Sequence, residues 1–383
     1  MSPHLRNRPA GRAVLPEAAE TGGGASASNL PSRPNRLGRR GAALTAALGV
    51  GALLLAGCGA SEGAPVSESE QAESSSGQSP SGPDLPEGWQ HVAGEVDFEH
   101  IDAETQLPAT VTDGTGTETT VHDASRIISA GDGISSTLAA LGLQDSIYAA
   151  PGNSTAEASL AAPEQFEFSK DTGTEGLLAL DGTLFIGDNT KRHGDVAQQF
   201  RDAGTDAVVV DDQQTQAEKL QAVADYVGAH EAGEELVDSL ESDMEEAQRI
   251  VEESDLAGKR VIQVTATGAG GQNSVAGTGT PGTEMIESLG MTSVGAESGL
   301  RGFSREFSNE GILSADPEVI LMAESDYERW GGEEGFWEAF PTLRDTPAGQ
   351  EGRIIVMPDA QLCYSSPELG AGAQALAESL SES

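Results

Sequence analysis

Apolar side chains along the chain fall into two alternating rhythms. Arg126–Ala130, Ser146–Ala149, Thr183–Gly187 and Ala207–Asp211 are short apolar runs, the pattern of buried strands. Ser135–Leu143 and Asp195–Ala203 lie between them and carry apolar residues at helical spacing. This order of strand and helix predicts a parallel sheet covered by helices. Gln216–Ser254 is the longest helical stretch, and Gly228 is its expected break. Within Glu231–Glu253, Leu236, Val237, Leu240, Met244, Ala247 and Val251 follow helical spacing while Glu and Asp fill the other positions. Beyond Lys259 the alternation resumes, with strands at Arg260–Thr265, Glu318–Ala323 and Arg353–Met357 and helices at Thr283–Leu289 and Pro367–Leu380. Thr110–Val121 sets β-branched runs on either side of Asp113-Gly114, a hairpin signal. The expected organisation is α/β throughout: one unit at 89–225, a long amphipathic helix within 226–256, and a second unit at 257–383.

An internal repeat ties the two units together. Phe168–Gly187 aligns without gaps onto Phe303–Met322 at a constant offset of 135, with Phe, Ser, Glu, Gly, Leu and Asp coinciding. Two equivalent lobes explain these identities better than coincidence does. In each copy a Phe leads into a loop, a short helix follows, and then a buried strand. Thr174 and Asn309 occupy the expected N-cap, with Glu175 and Glu310 in the first turn, where a carboxylate suits the helix dipole. The bland reading is two glutamates completing helix starts. The functional one is a matched pair of carboxylates, one per lobe, docking onto two basic sites of a symmetric partner. The loops Phe168–Lys170 and Phe303–Arg305 each offer an aromatic face and a cation. Facing each other across a cleft, they suit a large, flat, partly anionic ligand.

The N-terminus changes where such a molecule would work. Arg39-Arg40 is followed by Gly41–Gly57, 17 residues of Ala, Leu, Gly and Val with one Thr. A basic region, a short apolar stretch and small residues are the parts of a secretory signal, expected over 1–57. The stretch is short and Gly-rich for a membrane span, which needs ~20 apolar residues. Leu55-Ala56-Gly57-Cys58 matches the bacterial lipobox, so Cys58 is the expected lipidation site and mature N-terminus. Arg39-Arg40 also leaves a twin-arginine export route open. Ala60–Pro86 has almost no large apolar side chain and reads as an acidic tether, within a segment 58–88 that lets the anchored domain stand off the membrane. Acylation of Cys58 leaves Cys363 without an intramolecular partner, so the fold rests on its core.

Charge removes other classes of function. The chain carries 21 Lys and Arg against 62 Asp and Glu, a net −41. A surface this negative repels phosphate backbones and anionic lipid, which excludes a nucleic-acid partner. No His-x-x-x-His or Cys cluster is present, so no metal site built from imidazoles is expected. Gly268–Gly271 and Gly277–Gly282 lack a following Gly-Lys-Ser/Thr and read as turns near the cleft. No Gly-x-Ser-x-Gly marks a nucleophile, so catalytic residues are not expected; an enzyme acting on the ligand is the second class of function, and turnover would separate it from a binder.

At this point the sequence resembles a known family. The lipobox, the acidic tether, the hairpin leading into Arg126-Ile-Ile-Ser129 and the duplicated Glu-Gly-(Leu/Ile)-Leu recur in substrate-binding lipoproteins of ABC importers for iron chelates, haem and cobalamin. Gly331–Gly335, Leu343–Gly349 and Arg353–Met357 look most like the haem-binding branch from actinobacteria. The resemblance implies two Rossmann-like lobes joined by one rigid helix, with a ligand cleft between them. It implies a monomer, lipid-anchored outside the cell membrane, that hands its cargo to a permease dimer driven by an ATPase. It assigns permease docking to Glu175 and Glu310, and implies haem or a ferric chelate as cargo, with no resident cofactor. Haem binders of this family place a Tyr or His axial ligand where this chain has Phe168 and Phe303, neither of which binds iron. Arg305 matches the family's propionate partner, and Lys170 is its counterpart in the first lobe. His193, expected on a loop after a strand, and Tyr364 are the substitutes for the axial ligand. A ferric siderophore, already saturated, needs only aromatic walls and cations, and it remains the alternative together with cobalamin.

Overall fold

Two five-stranded sheets carry the fold. The computed structural model describes residues 82–96, 101–167, 174–266, 273–303 and 305–382, all within the unit Ser76–Ser383. Cys58, Phe168 and Lys170 lie outside the described residues.

In the N-terminal lobe the strands run Glu164–Phe166, Ile147–Pro151, Ile127–Ser129, Leu184–Gly187, Asp206–Val209, all parallel. In chain order this is a doubly wound arrangement whose winding reverses between Ile127–Ser129 and Leu184–Gly187. Leu184 and Ile186 pack into one apolar layer with Ile127, Leu138 and Leu141, while Phe185 packs into the other with Phe200. Both faces are covered, which is why the strand reads as an unbroken apolar run. The predicted hairpin forms from Ala109–Thr112 and Glu118–Val121. Buried Asp113 anchors it: Oδ1 accepts from the Thr115 and Thr117 N–H groups at 2.9 and 3.1 Å, and Oδ2 accepts from Val209 N–H at 3.2 Å.

The C-terminal sheet runs Gln90–His91, Ile354–Met357, Val319–Ala323, Arg260–Gln263, Thr292–Ser293, again all parallel. Its winding reverses between Arg260–Gln263 and Val319–Ala323. Leu184–Gly187 and Val319–Ala323, the repeat strands, thus hold equivalent places, each beside the strand at which its own sheet's winding reverses, Ile127–Ser129 and Arg260–Gln263. The boundary expected at residue 89 is corrected. Gln90 and His91 pair with Ile355 and Val356, and Val92 lies in the C-terminal core. The segment entering the fold completes the second lobe before the chain builds the first.

The two lobes are joined by the helix His230–Glu252, 23 residues and so about 35 Å long. Leu236 is buried in the N-terminal core, and Leu240, Ala247 and Val251 in the C-terminal one. A helix rooted in both cores resists bending, because swinging a lobe would expose one of these anchors. It is separated from the helix Gln216–Tyr226 by Gly228 at φ +72, where a Cβ would also meet the Gln106 carbonyl oxygen at 2.5 Å. Glycine is needed there on both grounds. Among the described residues no helix is long and apolar enough to cross a membrane.

Candidate functional site

In doubly wound sheets a ligand binds outside the carboxyl ends of the strands, where the winding reverses. Each lobe has one such point. In the N-terminal lobe it lies after Ser129 and Gly187. Gly131 has no room for a side chain, because the Asp188 carboxylate fills the space a Cβ would occupy. Asp132 opens the next helix; its carboxylate accepts from Thr155 N–H at 2.9 Å and from the Ser159 hydroxyl at 2.9 Å. In the C-terminal lobe it lies after Gln263 and Ala323. There Asp326 accepts from Ala266 N–H at 2.8 Å, and Asp359 accepts from Ser325 N–H at 3.0 Å and the Ser325 hydroxyl at 2.5 Å.

The lobes meet beside these ends. A Cβ on Gly133 would collide with the Ser365 carbonyl oxygen, and Gln216 donates to the Glu284 carboxylate across the divide. Glu368, largely buried, has its carboxyl pushed up by burial and then by Glu157 of the other lobe. Burial lowers the Lys219 ammonium, opposed by Glu284, Asp212, Asp211 and Asp188 around it. The described part of this region is therefore rich in carboxylates, with Lys219 embedded among them. Cys363 has its thiol raised by burial, then by Asp359 and Asp326. It stays protonated and unreactive.

The expected site residues fall in different places. Phe303 is 41% exposed. Arg305 is exposed on the two-residue strand Arg305–Glu306, which pairs antiparallel with Ser274–Val275. Its Nε donates to the Arg301 carbonyl oxygen at 2.7 Å, and neither arginine has an ion-pair partner among the described residues. Tyr364 lies between the lobes, with Ser136 and Asp132 of the first lobe facing it. Burial, then Asp132, Glu368 and Asp359, push its phenol far up, so it is a neutral phenol here.

His193 is corrected. It lies in the first turn of the helix Thr190–Asp202, 1% exposed, with its ring edge-on to Phe185 and its Nδ1 accepting from Asp188 N–H at 3.0 Å. The helix starts earlier than the apolar pattern suggests because Asn189 caps it, Oδ1 accepting from Arg192 N–H at 2.9 Å. That cap draws His193 off the loop and into the core.

A second correction concerns the repeat. The N-cap of the helix Asn309–Ala315 is Ser308, whose hydroxyl accepts from Gly311 N–H at 3.0 Å. Asn309 instead accepts from Asn273 and Thr342 at 2.8 and 2.7 Å. Glu310 and its counterpart Glu175 are exposed in the first turns of their helices, with no ion-pair partner among the described residues. Reasoning from sequence missed Asp132, Lys219, Arg301, Asp326 and Asp359. Asp132, Asp326 and Asp359 stand within three residues of strand ends, a signal legible only once the strand order is known, while Lys219 inside the helix Gln216–Tyr226 and Arg301 carry no such signal.

Two equivalent α/β lobes, a helix rooted in both, and a cleft at the carboxyl ends of both sheets define a two-lobe binding protein. Residues 127–361, more than half of the chain, match the family described as Periplasmic binding protein, and the chain belongs to it. No curated protein sequence matches the chain. Among solved structures it is similar to a heme binding protein HmuT, at 28% identity, TM-score 0.66, over 77% of this chain and 98% of that one. It is also similar to the periplasmic heme-binding protein RhuT from Roseiflexus sp. RS-1, at 26% identity, TM-score 0.60, over 68% and 99%. The periplasmic heme binding protein HutB of Vibrio cholerae, at 22% identity and TM-score 0.56 over 67% and 99%, shares the fold.

Proposed function

We propose that the protein is the extracytoplasmic substrate-binding lipoprotein of an ABC importer and that it captures haem, returning it unchanged to the permease. The observation that carries the reading is the likeness to the heme binding protein HmuT, which spans 98% of that chain, together with the exposed Phe303 and Arg305. HmuT has also been solved with one tyrosine or one arginine replaced, and those two positions stand two apart, the spacing of Phe303 and Arg305. In this reading Arg305, with Lys170, pairs with the propionates, and Phe168 and Phe303 wall the macrocycle. Tyr364 is the axial candidate that remains near the cleft. Burial, and then the surrounding carboxylates, favour the neutral phenol, so ferric iron would have to displace the proton with its own charge.

Titration of the purified protein with haemin is expected to develop a Soret band. Arg305→Ala is expected to weaken binding by ~1–3 kcal/mol, the worth of a charge-assisted pair, and Tyr364→Phe to change the spectrum if the phenol reaches the iron. An unchanged haemin spectrum, with a ferric siderophore quenching Trp fluorescence instead, replaces haem by a chelate as cargo. The phenylalanine at position 303, where haem binders carry an iron ligand, supports that second reading.

The lipid anchor is a separate expectation resting on Leu55–Cys58. An acylated Cys58 with several chains holds the protein stably at the membrane, where one chain is marginal. Cys58→Ser is expected to release the protein to the medium or leave it unprocessed. Unchanged membrane fractionation of that variant would remove the anchor from the reading.

A further inference from the structure

We propose that each lobe presents its permease contact as a carboxylate beside a leucine on one short helix: Glu175 with Leu178, and Glu310 with Leu313. This rests on the docking role of the two glutamates. Leu178 and Leu313 are equivalent under the same 135-residue offset, and each stands three positions after its glutamate, on the same face of the helix. The preceding apolar residue points the other way: Leu177 and Ile312 are buried in the cores of their lobes. Leu313 is 46% exposed, and among the described residues only Val96, Leu160 and Phe303 are comparably exposed large apolar side chains. Leu178 is partly buried.

The helices that carry these pairs span five and seven residues, too short to persist alone. Both are held by the same device. Arg126, just ahead of the first strand of its lobe, donates from Nε and Nη2 to the Asp181 and Leu180 carbonyl oxygens at 3.0 and 3.1 Å. Arg260, opening the strand Arg260–Gln263 of the other lobe, donates from Nε to the Ala315 carbonyl oxygen. Leu180 and Ala315 are equivalent under the repeat, and so are Asp181 and Asp316, both left-handed at φ 54 and 50. Each arginine is braced in turn: Arg126 lies 3.6 Å over the Tyr148 ring, and Arg260 pairs with Glu297 at 2.7 Å.

The leucines answer a question the glutamates leave open. In a chain with 62 acidic residues, a carboxylate alone does not distinguish the docking face from the rest of the surface. A leucine beside it, exposed at Leu313 and half-buried at Leu178, does, because the partner must then offer a cation next to an apolar socket, and must offer it twice. The partner that fits is a pair of permease subunits.

The test uses the full-length protein loaded with haemin and the permease–ATPase complex in vesicles. It reads the protein concentration that half-maximally stimulates ATP hydrolysis. Leu178→Ala with Leu313→Ala is expected to raise it about tenfold with haemin affinity unchanged, Leu313→Ala alone to raise it with melting temperature also unchanged because that side chain is exposed, and Leu313→Met to restore much of the loss. Normal stimulation by the double alanine variant, while Glu175→Arg with Glu310→Arg fails to stimulate, overturns the leucines and leaves the glutamates. Normal stimulation by the charge-reversed variant overturns the docking reading itself.

Discussion

Glu175→Arg combined with Glu310→Arg is expected to abolish haemin uptake while leaving haemin affinity near that of the unaltered protein. Both glutamates are exposed and unpaired among the described residues, so neither holds a structural contact that the change would break. Reversal does place a positive charge near each helix N-terminus, which costs about 0.3–1 kcal/mol per site. That is small beside the stability of a domain. At the partner the same change sets like charges against each other on both subunits, and such juxtaposition costs several kcal/mol. Docking is therefore lost long before folding is. Uptake by cells and haemin titration of the purified variant measure the two effects separately. Loss of binding together with uptake would make the glutamates helix caps and no more.

Asp326→Asn is expected to stabilise the protein at neutral pH. Asp326 is 5% exposed, and its carboxyl is pushed from 3.8 up to about 6 by burial, with Asp359 adding to the rise and the Ala266 N–H and Arg329 opposing it. A carboxyl raised on folding contributes most when it is protonated. Its contribution is full below the unfolded value of 3.8 and is lost as pH climbs through about 6. At pH 7 the buried charge then costs about 3 kcal/mol. Asparagine keeps an oxygen for the Ala266 N–H and carries no charge. Denaturant unfolding should show the variant more stable by about 1–3 kcal/mol at pH 7 and equal to the parent near pH 4. A less stable variant at pH 7 would mean that the ionised form is the one this site holds. A carboxylate kept at the end of a central strand against such a cost is where a binding role would be sought.

The elements that depend on near neighbours were legible in the chain itself. The apolar runs at Thr183–Gly187 and Glu318–Ala323 became the strands Leu184–Gly187 and Val319–Ala323, because strands covered on both faces need no polar alternation. The break at Gly228, the hairpin around Asp113-Gly114 and the equivalence of the two lobes were equally visible, since each is written in a few adjacent residues or in a direct repeat. Tertiary structure alone decided the rest. Gln90–His91 has no periodicity of its own, and only its pairing with Ile355–Val356 assigns it to the far lobe. His193 looked like a loop residue until the Asn189 cap and the packing of Phe185 placed it in the core. Lys219, Asp326 and Tyr364 stand near no motif. Asp359 reaches Asp326 through the folding of one lobe, whereas Glu284 beside Lys219 and Asp132 beside Tyr364 arrive from the other lobe, and an environment assembled from distant segments leaves no mark on the local sequence.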